Sequence, residues 1–372
     1  MNKSNRIALP DGIPSLTTYY FYLTHGCNLA CRHCWLAPEF QKGGGTGGHL
    51  DFGLIKQAVE QGIPLGLSNA KLTGGEPLLH PDFVKIIDYL SEKEISITIE
   101  TNGTLLTKEL AFYLKEHSST WFVSVSIDGA NAETHDSFRG VKGTFNKSCQ
   151  AVEYLAEAGF QPQVIMSIHT GNIDQIEDLV ILSENLGAGS VKFNLIQTAG
   201  RGKLMAKRKE ILEVQDLIET GEWVENSLQE KSSISLYYDW PAAFKNIHSL
   251  LKRGVSTCGI FSILGVISDG HYALCGIGVH VPELVYGQIG TDNLEDIWVN
   301  HPTLVKLRNE VPVQLEGICG KCILKNRCLG SCVAQNYFES GRLTGSHWFC
   351  QQAYENGLFP LTRMTLEKVK EN

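Results

Sequence analysis

The sequence has no hydrophobic run that approaches the roughly 20 consecutive apolar residues of a membrane-spanning helix. It has no long run of charge of either sign. Its 32 basic and 40 acidic residues leave a net charge of −8, which speaks against a broad basic face for nucleic acid and leaves room only for a local patch. No targeting segment is visible: Met1-Asn2-Lys3-Ser4-Asn5-Arg6 is polar, and Ile7 to Pro10 is too short for a signal-peptide core. No internal repeat exists beyond an alternation of strand and helix patterns. The one low-complexity patch, Gly43-Gly44-Gly45-Thr46-Gly47-Gly48, reads as a flexible loop, with a mobile lid as the alternative. These absences predict a cytoplasmic protein with neither a membrane nor a nucleic acid as partner.

The 372 residues suffice for one large α/β domain and a smaller one, and 43% hydrophobic with 19% charged content is that of a globular chain. Six strand patterns run through Tyr19–Leu23, Ala70–Thr73, Ile95–Ile99, Trp121–Ile127, Gln163–Ile168 and Val191–Asn194. Helical spacing lies between them. Phe83, Ile86, Ile87 and Leu90 share one face, as do Phe145, Cys149, Val152 and Ala156, with Gly159 as C-cap. Ile176, Leu179 and Val180 open a helix that ends near Gly187. Six such units predict an α/β fold with a parallel sheet, a partial (β/α)6 TIM-like barrel. The expected division is an N-terminal extension over 1–17, the barrel over 18–215, a bridge over 216–257, a loop-rich metal-built domain over 258–362 and a tail over 363–372. In such barrels chemistry collects in loops after the strands, which is where the unusual residues lie.

Eleven cysteines in a cytoplasmic chain point to metal or redox chemistry rather than disulfides. Cys149 stands alone on an apolar helix face, where a thiol acts as a small hydrophobe. Cys27, Cys31 and Cys34 follow the first strand with the spacing Cys-x3-Cys-x2-Cys. Three thiolates can hold three irons of a [4Fe–4S] cluster and leave the fourth open for a substrate or cosubstrate. Zinc is the competing reading, with His25 or His33 supplying the missing ligand.

With Gly74-Gly75-Glu76 after the second strand, this loop resembles the radical S-adenosylmethionine superfamily over residues 18 to about 200. The resemblance implies that the amino and carboxylate groups of S-adenosylmethionine chelate the open iron. It further implies that one electron cleaves the C5′–S bond, and that the 5′-deoxyadenosyl radical abstracts hydrogen from a substrate. Carried over by position, Gly74, Gly75 and Glu76 bind the methionyl amino group, largely through backbone. Asn102, Ser126 and Asp128 reach ribose or methionyl groups, Arg139 pairs with the carboxylate, and His33 lies near adenine. Turn formation is the alternative for the glycines, capping for Asn102, Ser126 and Asp128, and a surface ion pair for Arg139.

The remaining cysteines run Cys258-x11-Gly270-x4-Cys275, then Cys319-x2-Cys322-x5-Cys328-x3-Cys332, then Cys350. Four of them suit one zinc ion, but seven fit two cubane clusters better. The pattern resembles the SPASM module, which holds auxiliary [4Fe–4S] clusters behind many radical S-adenosylmethionine barrels. That likeness implies a distal cluster on Cys319, Cys322, Cys328 and Cys350, and a nearer one on Cys258, Cys275 and Cys332. Gly259, Ile260 and Phe261 follow Cys258 where some relatives carry an extra cysteine, so the nearer cluster has an open or non-cysteine position.

Cys34-Trp35-Leu36-Ala37-Pro38 and Cys328-Leu329-Gly330-Ser331-Cys332-Val333-Ala334-Gln335-Asn336-Tyr337 resemble peptide maturases acting on precursors with nitrogen-fixation-type leaders. This implies a precursor peptide as substrate and an electron donor such as flavodoxin or ferredoxin. The leading subtype is a splicease, which excises tyramine and leaves an α-keto-β-amino acid; thioether or carbon–carbon crosslinking and epimerisation are the others. Only about 16 residues precede the first strand, short of the ~50 of an autonomous domain, so leader recognition is expected from a separate small protein or by direct binding. The alternatives are a small-molecule radical enzyme, acting on sugars or tetrapyrroles, and a zinc-stabilised binding protein. Asp269, Tyr272 and His280 lie near auxiliary-cluster cysteines, with core or turn roles as alternatives to substrate chemistry.

Overall fold

In the computed structural model, which describes residues 6–43, 45–247, 250–251 and 258–365, each of the six strand patterns forms a strand. The strands are β1 (Thr18–Tyr22), β4 (Asn69–Thr73), β5 (Ser96–Thr101), β6 (Thr120–Ser126), β7 (Gln163–Ile168) and β8 (Ser190–Leu195). A short pair, β2 (Gly26–Cys27) and β3 (Glu39–Phe40), brackets the first cysteine loop. Helices α1 (Phe52–Leu65), α2 (Phe83–Glu92), α3 (Lys108–His117), α4 (Ala132–Arg139), α5 (Thr144–Glu157) and α6 (Ile176–Asn185) fill the crossovers. Gly44 of the glycine-rich patch lies outside the described residues, as do parts of the expected extension, bridge and tail.

The six strands pair in parallel in chain order. Two strands that the sequence patterns did not mark lengthen the parallel array: β9 (Ser235–Tyr238) beside β8, and β10 (Ile263–Val266) beside β1. Beyond β10 the sheet turns antiparallel through β11 (His271–Ala273) and β12 (Val285–Gln288). The ten-stranded order is β12-β11-β10-β1-β4-β5-β6-β7-β8-β9, and among the described residues no pairing joins its two edges. Alternate residues such as Leu72, Ile97, Ile99, Val123, Val125, Val164, Met166 and Phe193 are buried, as parallel strands covered by helices require.

The face of α2 is as expected, with Phe83, Ile86, Ile87 and Leu90 buried. That of α5 is rotated. Thr144, Ser148, Ala151, Val152 and Leu155 face inward, while Phe145, Cys149 and Ala156 are half-buried. The reason is polar: the Ser148 hydroxyl donates to the Asn102 carbonyl at 2.7 Å, and Thr144 bonds Asp136 at 2.8 Å. Two short polar side chains therefore hold inward positions that an apolar count gives to their neighbours.

The chain forms two compact units. The first takes the described residues of Met1–Leu212, Trp223–Asp239 and Phe261–His301, and so contains the whole sheet. The second takes those of Glu213–Glu222, Trp240–Ile260 and Pro302–Asn372. It is built from short helices, among them Gly317–Lys321, Lys325–Cys328, Val333–Ser340 and Trp348–Glu355. Phe244, Phe349 and Phe359 pack edge to face in its core.

Candidate active site

The loop carrying Cys27, Cys31 and Cys34 leaves the C-terminal end of β1, and three other loops hold it. Gly75 donates its N–H to the Thr24 carbonyl at 3.0 Å, and Glu76 donates to the Thr24 hydroxyl at 3.1 Å. A Cβ on Gly75 would stand 1.9 Å from the Gly26 oxygen, so only glycine lets these two backbones meet. At the end of α4, Ala30 donates to the Arg139 carbonyl at 3.0 Å and Arg32 to the Phe138 carbonyl at 2.9 Å. From beyond β8, Arg201 donates its N–H to the Cys34 carbonyl and its Nε to the Cys31 carbonyl. Its Nη1 reaches the Pro38 carbonyl. Gly200 makes that approach possible: its φ is +54°, and a Cβ there would lie 2.3 Å from the Trp35 oxygen. Arg201 escaped the sequence reading. Its signal was the Gly200-Arg201-Gly202 triplet after the sixth strand.

Cys27 and Cys31 are buried and pack with Leu29, Cys34 and Val141. N–H groups point at their sulfurs. Leu29 donates to Cys27 Sγ at 3.4 Å, Asn102 Nδ2 lies 3.9 Å from it, and Arg139 Nη1 lies 3.5 Å from Cys31 Sγ. Burial raises both thiols, with the charge of Glu76 adding to it at Cys27 and Arg139 opposing it at Cys31. A ligating metal supplies the charge that favours the thiolate form. Three thiols on one loop, two of them buried and met by N–H donors, are a donor set that fits an iron–sulfur cluster. Of the candidate fourth ligands for zinc, His25 is exposed and His33 is stacked on Phe138. Among the described residues no three His, Cys, Asp or Glu side chains gather as they would round a single ion.

The other expected contacts gather here too, mostly bonded to one another. The Glu76 carboxylate is 1% exposed and accepts from the Thr101 hydroxyl (2.6 Å), the Asn102 N–H (2.8 Å) and the Leu78 N–H (3.1 Å). Burial still dominates, and its pKa is raised. Asn102 closes a turn by accepting from Thr104, and its Nδ2 donates to Asn28 Oδ1 at 2.9 Å. The capping reading of Asn102 is therefore present in the structure. Asp128 is fully buried. It accepts from the Ser167 N–H at 2.7 Å and lies 2.6 Å from Arg139 Nε, an ion pair rather than an aligned hydrogen bond. Burial pushes this carboxyl up, but the Arg139 charge and the Ser167 N–H outweigh it and hold it below its ordinary value. Ser126 ends β6, half-buried.

His33 stacks on Phe138 with centroids 4.5 Å apart, and Phe138 stacks on His169 at 4.1 Å. Burial presses His33 down to about 3, so its ring is neutral. His169 accepts from the Gly171 N–H through Nδ1, which puts its own proton on a buried Nε2 without a hydrogen-bond partner. Neither Phe138 nor His169 was marked by the sequence. Their spacing carries no motif.

The second unit has its own cysteine site. Cys319, Cys322, Cys328 and Cys350 line one small cavity, with Ile318 and Phe359 among its apolar walls. The Cys319 and Cys350 sulfurs share a hydrogen bond. That bond, helped by the His347 N–H at 3.4 Å, brings Cys319 down to about 7 against the burial that opposes it. Leu324 donates to Cys322 Sγ at 3.4 Å. Leu329, Gly330 and Ser331 run left-handed in succession behind Cys328, a strained turn of the kind found at functional sites. Cys332 caps the helix Val333–Ser340, its sulfur accepting from the Gln335 N–H at 3.5 Å. Cys275 precedes a 3₁₀ turn in the first unit and Cys258 belongs to the second. All eleven cysteines lack a disulfide. Asp269 accepts from the His271 N–H in a turn, Tyr272 is a core residue, and His280 Nε2 contacts the Trp35 carbonyl at 2.6 Å.

The model of the radical SAM superfamily matches residues 21–182. The AdoMet-dependent heme synthase of Methanosarcina barkeri is 31% identical over 344 residues, which cover 88% of this chain and 94% of that protein. The antilisterial bacteriocin subtilosin biosynthesis protein AlbA of Bacillus subtilis is 29% identical over 82% of this chain and 66% of its own length. Among solved structures, Streptococcus suis SuiB bound to precursor peptide SuiA superposes with a TM-score of 0.71 at 17% identity, over 91% of this chain and 76% of that one. This last likeness establishes the fold, an α/β protein on a parallel sheet.

Proposed function

Because the chain belongs to the radical SAM superfamily, whose members are enzymes that bind S-adenosylmethionine and a [4Fe–4S] cluster, we propose that Cys27, Cys31 and Cys34 hold that cluster and that the substrate is a ribosomally made precursor peptide. The single observation behind the cluster assignment is the three-thiol loop, clamped on three sides, with Cys27 and Cys31 buried and their sulfurs met by N–H donors. When bound, the cluster and S-adenosylmethionine supply a 5′-deoxyadenosyl radical able to abstract hydrogen from an unactivated C–H bond. The chain's own residues bind and shield. The backbone of Gly74, Gly75 and Glu76 offers polar groups to the methionyl amine, while the Glu76 side chain keeps the Asn102 turn in place. Arg139 attends the methionyl carboxylate and His33 the adenine. Asn102, Ser126 and Asp128 frame the ribose and methionyl side.

The seven remaining motif cysteines hold two auxiliary clusters in this reading, a SPASM module over residues 258–362. Support comes from the four-cysteine cavity for the set Cys319, Cys322, Cys328 and Cys350; the set Cys258, Cys275 and Cys332 rests on the resemblance of the cysteine spacing alone. Likeness to the bacteriocin biosynthesis protein supports the peptide substrate. Excision of tyramine is the leading subtype, with flavodoxin or ferredoxin as electron donor in a reducing cytoplasm. Among the described residues no helix is long and apolar enough to cross a membrane. Likeness to the heme synthase favours a second reading, modification of a tetrapyrrole.

The test is anaerobic. Reconstituted protein is incubated with reductant and S-adenosylmethionine, and 5′-deoxyadenosine is measured by mass spectrometry. The parent yields product and a variant with Cys27, Cys31 and Cys34 changed to Ala yields none, while iron falls from about twelve to about eight per chain. No product from iron-loaded parent overturns the chemistry. Turnover of a tetrapyrrole but of no candidate precursor peptide overturns the peptide reading.

A further inference from the structure

We propose that the buried Arg139–Asp128 pair sets the reduction potential of the cluster at Cys27, Cys31 and Cys34, with Arg139 acting on the cluster through the Cys31 sulfur and Asp128 moderating Arg139. The inference rests on the cluster assignment made above. Arg139 ends α4 with its Nη1 3.5 Å from Cys31 Sγ, and it is 7% exposed. Its Nε faces Asp128 Oδ2 at 2.6 Å. Asp128 has no freedom of its own. Its other oxygen takes the Ser167 N–H, its own N–H donates to His135 Nδ1 at 3.1 Å, and its carbonyl accepts from Asn172 at 3.0 Å. A fixed cation thus touches a cluster sulfur, and a fixed anion stands behind it.

Reduction adds one negative charge to the cluster. A nearby cation stabilises the reduced form and raises the potential, and an anion lowers it. Because both groups are buried, salt screens them little. The cation is the one in contact with sulfur, so the pair's net effect is to raise the potential. A charged N–H donor to the sulfur adds to this. The competing roles are holding the methionyl carboxylate and holding α4. Neither predicts opposite effects from the two members of the pair in protein that contains no S-adenosylmethionine.

The experiment is a potentiometric titration of reconstituted protein without S-adenosylmethionine. Mediators poised with dithionite set the potential, and the reduced-cluster signal is followed by electron paramagnetic resonance. The signal is assigned by its loss in the triple Cys27, Cys31, Cys34 to Ala variant; if it survives there, the cluster assignment fails and not this inference. Arg139→Gln shifts the midpoint to more negative potential, by about 59 mV for each tenfold change in the one-electron equilibrium. Asp128→Asn shifts it to more positive potential. Arg139→Lys keeps the charge and stays near the parent, which separates charge from shape. Should Arg139→Gln load no iron, the positive shift of Asp128→Asn together with the unmoved Arg139→Lys decides. Shifts of the same sign in both charge variants, or no shift in either, overturn the proposal.

Discussion

Glu76 and Asp128 are both buried carboxyls, yet their surroundings drive them in opposite directions. Three neutral donors leave Glu76 raised, whereas an arginine at 2.6 Å leaves Asp128 lowered. Burial of a charge is offset by a cation more readily than by neutral hydrogen bonds. In the sequence each follows a strand, and the resemblance expected both to contact S-adenosylmethionine. It did not show that Asp128 and Arg139 pair, since that depends on α4 folding back beside the cysteine loop. His135 gives a pH prediction at this scale. Burial, with Arg139 adding to it, presses its pKa from 6.5 to about 4. As pH falls below 6.5 the unfolded chain takes up a proton that the folded chain refuses until about 4. The stability this group contributes is therefore whole above pH 6.5 and is lost toward pH 4, by about 1.4 kcal/mol per pH unit. Urea unfolding at pH 7.5 and 5.5 checks it: His135→Asn, which retains an acceptor for the Asp128 N–H, loses about 1.4 kcal/mol less than the parent. Equal losses would refute the assignment.

At the scale of elements, strand positions were legible because apolar periodicity is a local signal, and the six strands lie within two residues of their patterns. The face of α5 was not, because Thr144 and Ser148 point inward to meet partners from α4 and from the loop after β5. The clamp from Gly200 and Arg201 was equally hidden, for its partners Cys31, Cys34 and Pro38 lie some 160 residues earlier. This clamp makes a prediction. Gly200→Ala drives a methyl against the Trp35 carbonyl and displaces the loop that carries Cys34. Iron falls by about four per chain, with the auxiliary signals retained, as measured by iron analysis and electron paramagnetic resonance. Full iron with undiminished 5′-deoxyadenosine formation would show that the clamp is dispensable.

At the scale of the molecule, the sequence reading expects one loop-rich domain over 258–362, whereas Phe261–His301 belongs to the compact unit that holds the sheet. That segment reads as loop because β10 is four residues long and β11 three. Its placement beside β1 has a consequence for synthesis. On the ribosome β10 emerges roughly 240 residues after its partner β1, about 12–48 s at ~5–20 residues per second. Throughout that interval the outer edge of β1, with the cysteine loop attached, has no neighbour on one side, and an unpaired strand edge invites association. Chains released at residue 260 should sediment as aggregates, whereas chains released after β12 should remain dispersed; equal sedimentation of the two would refute this.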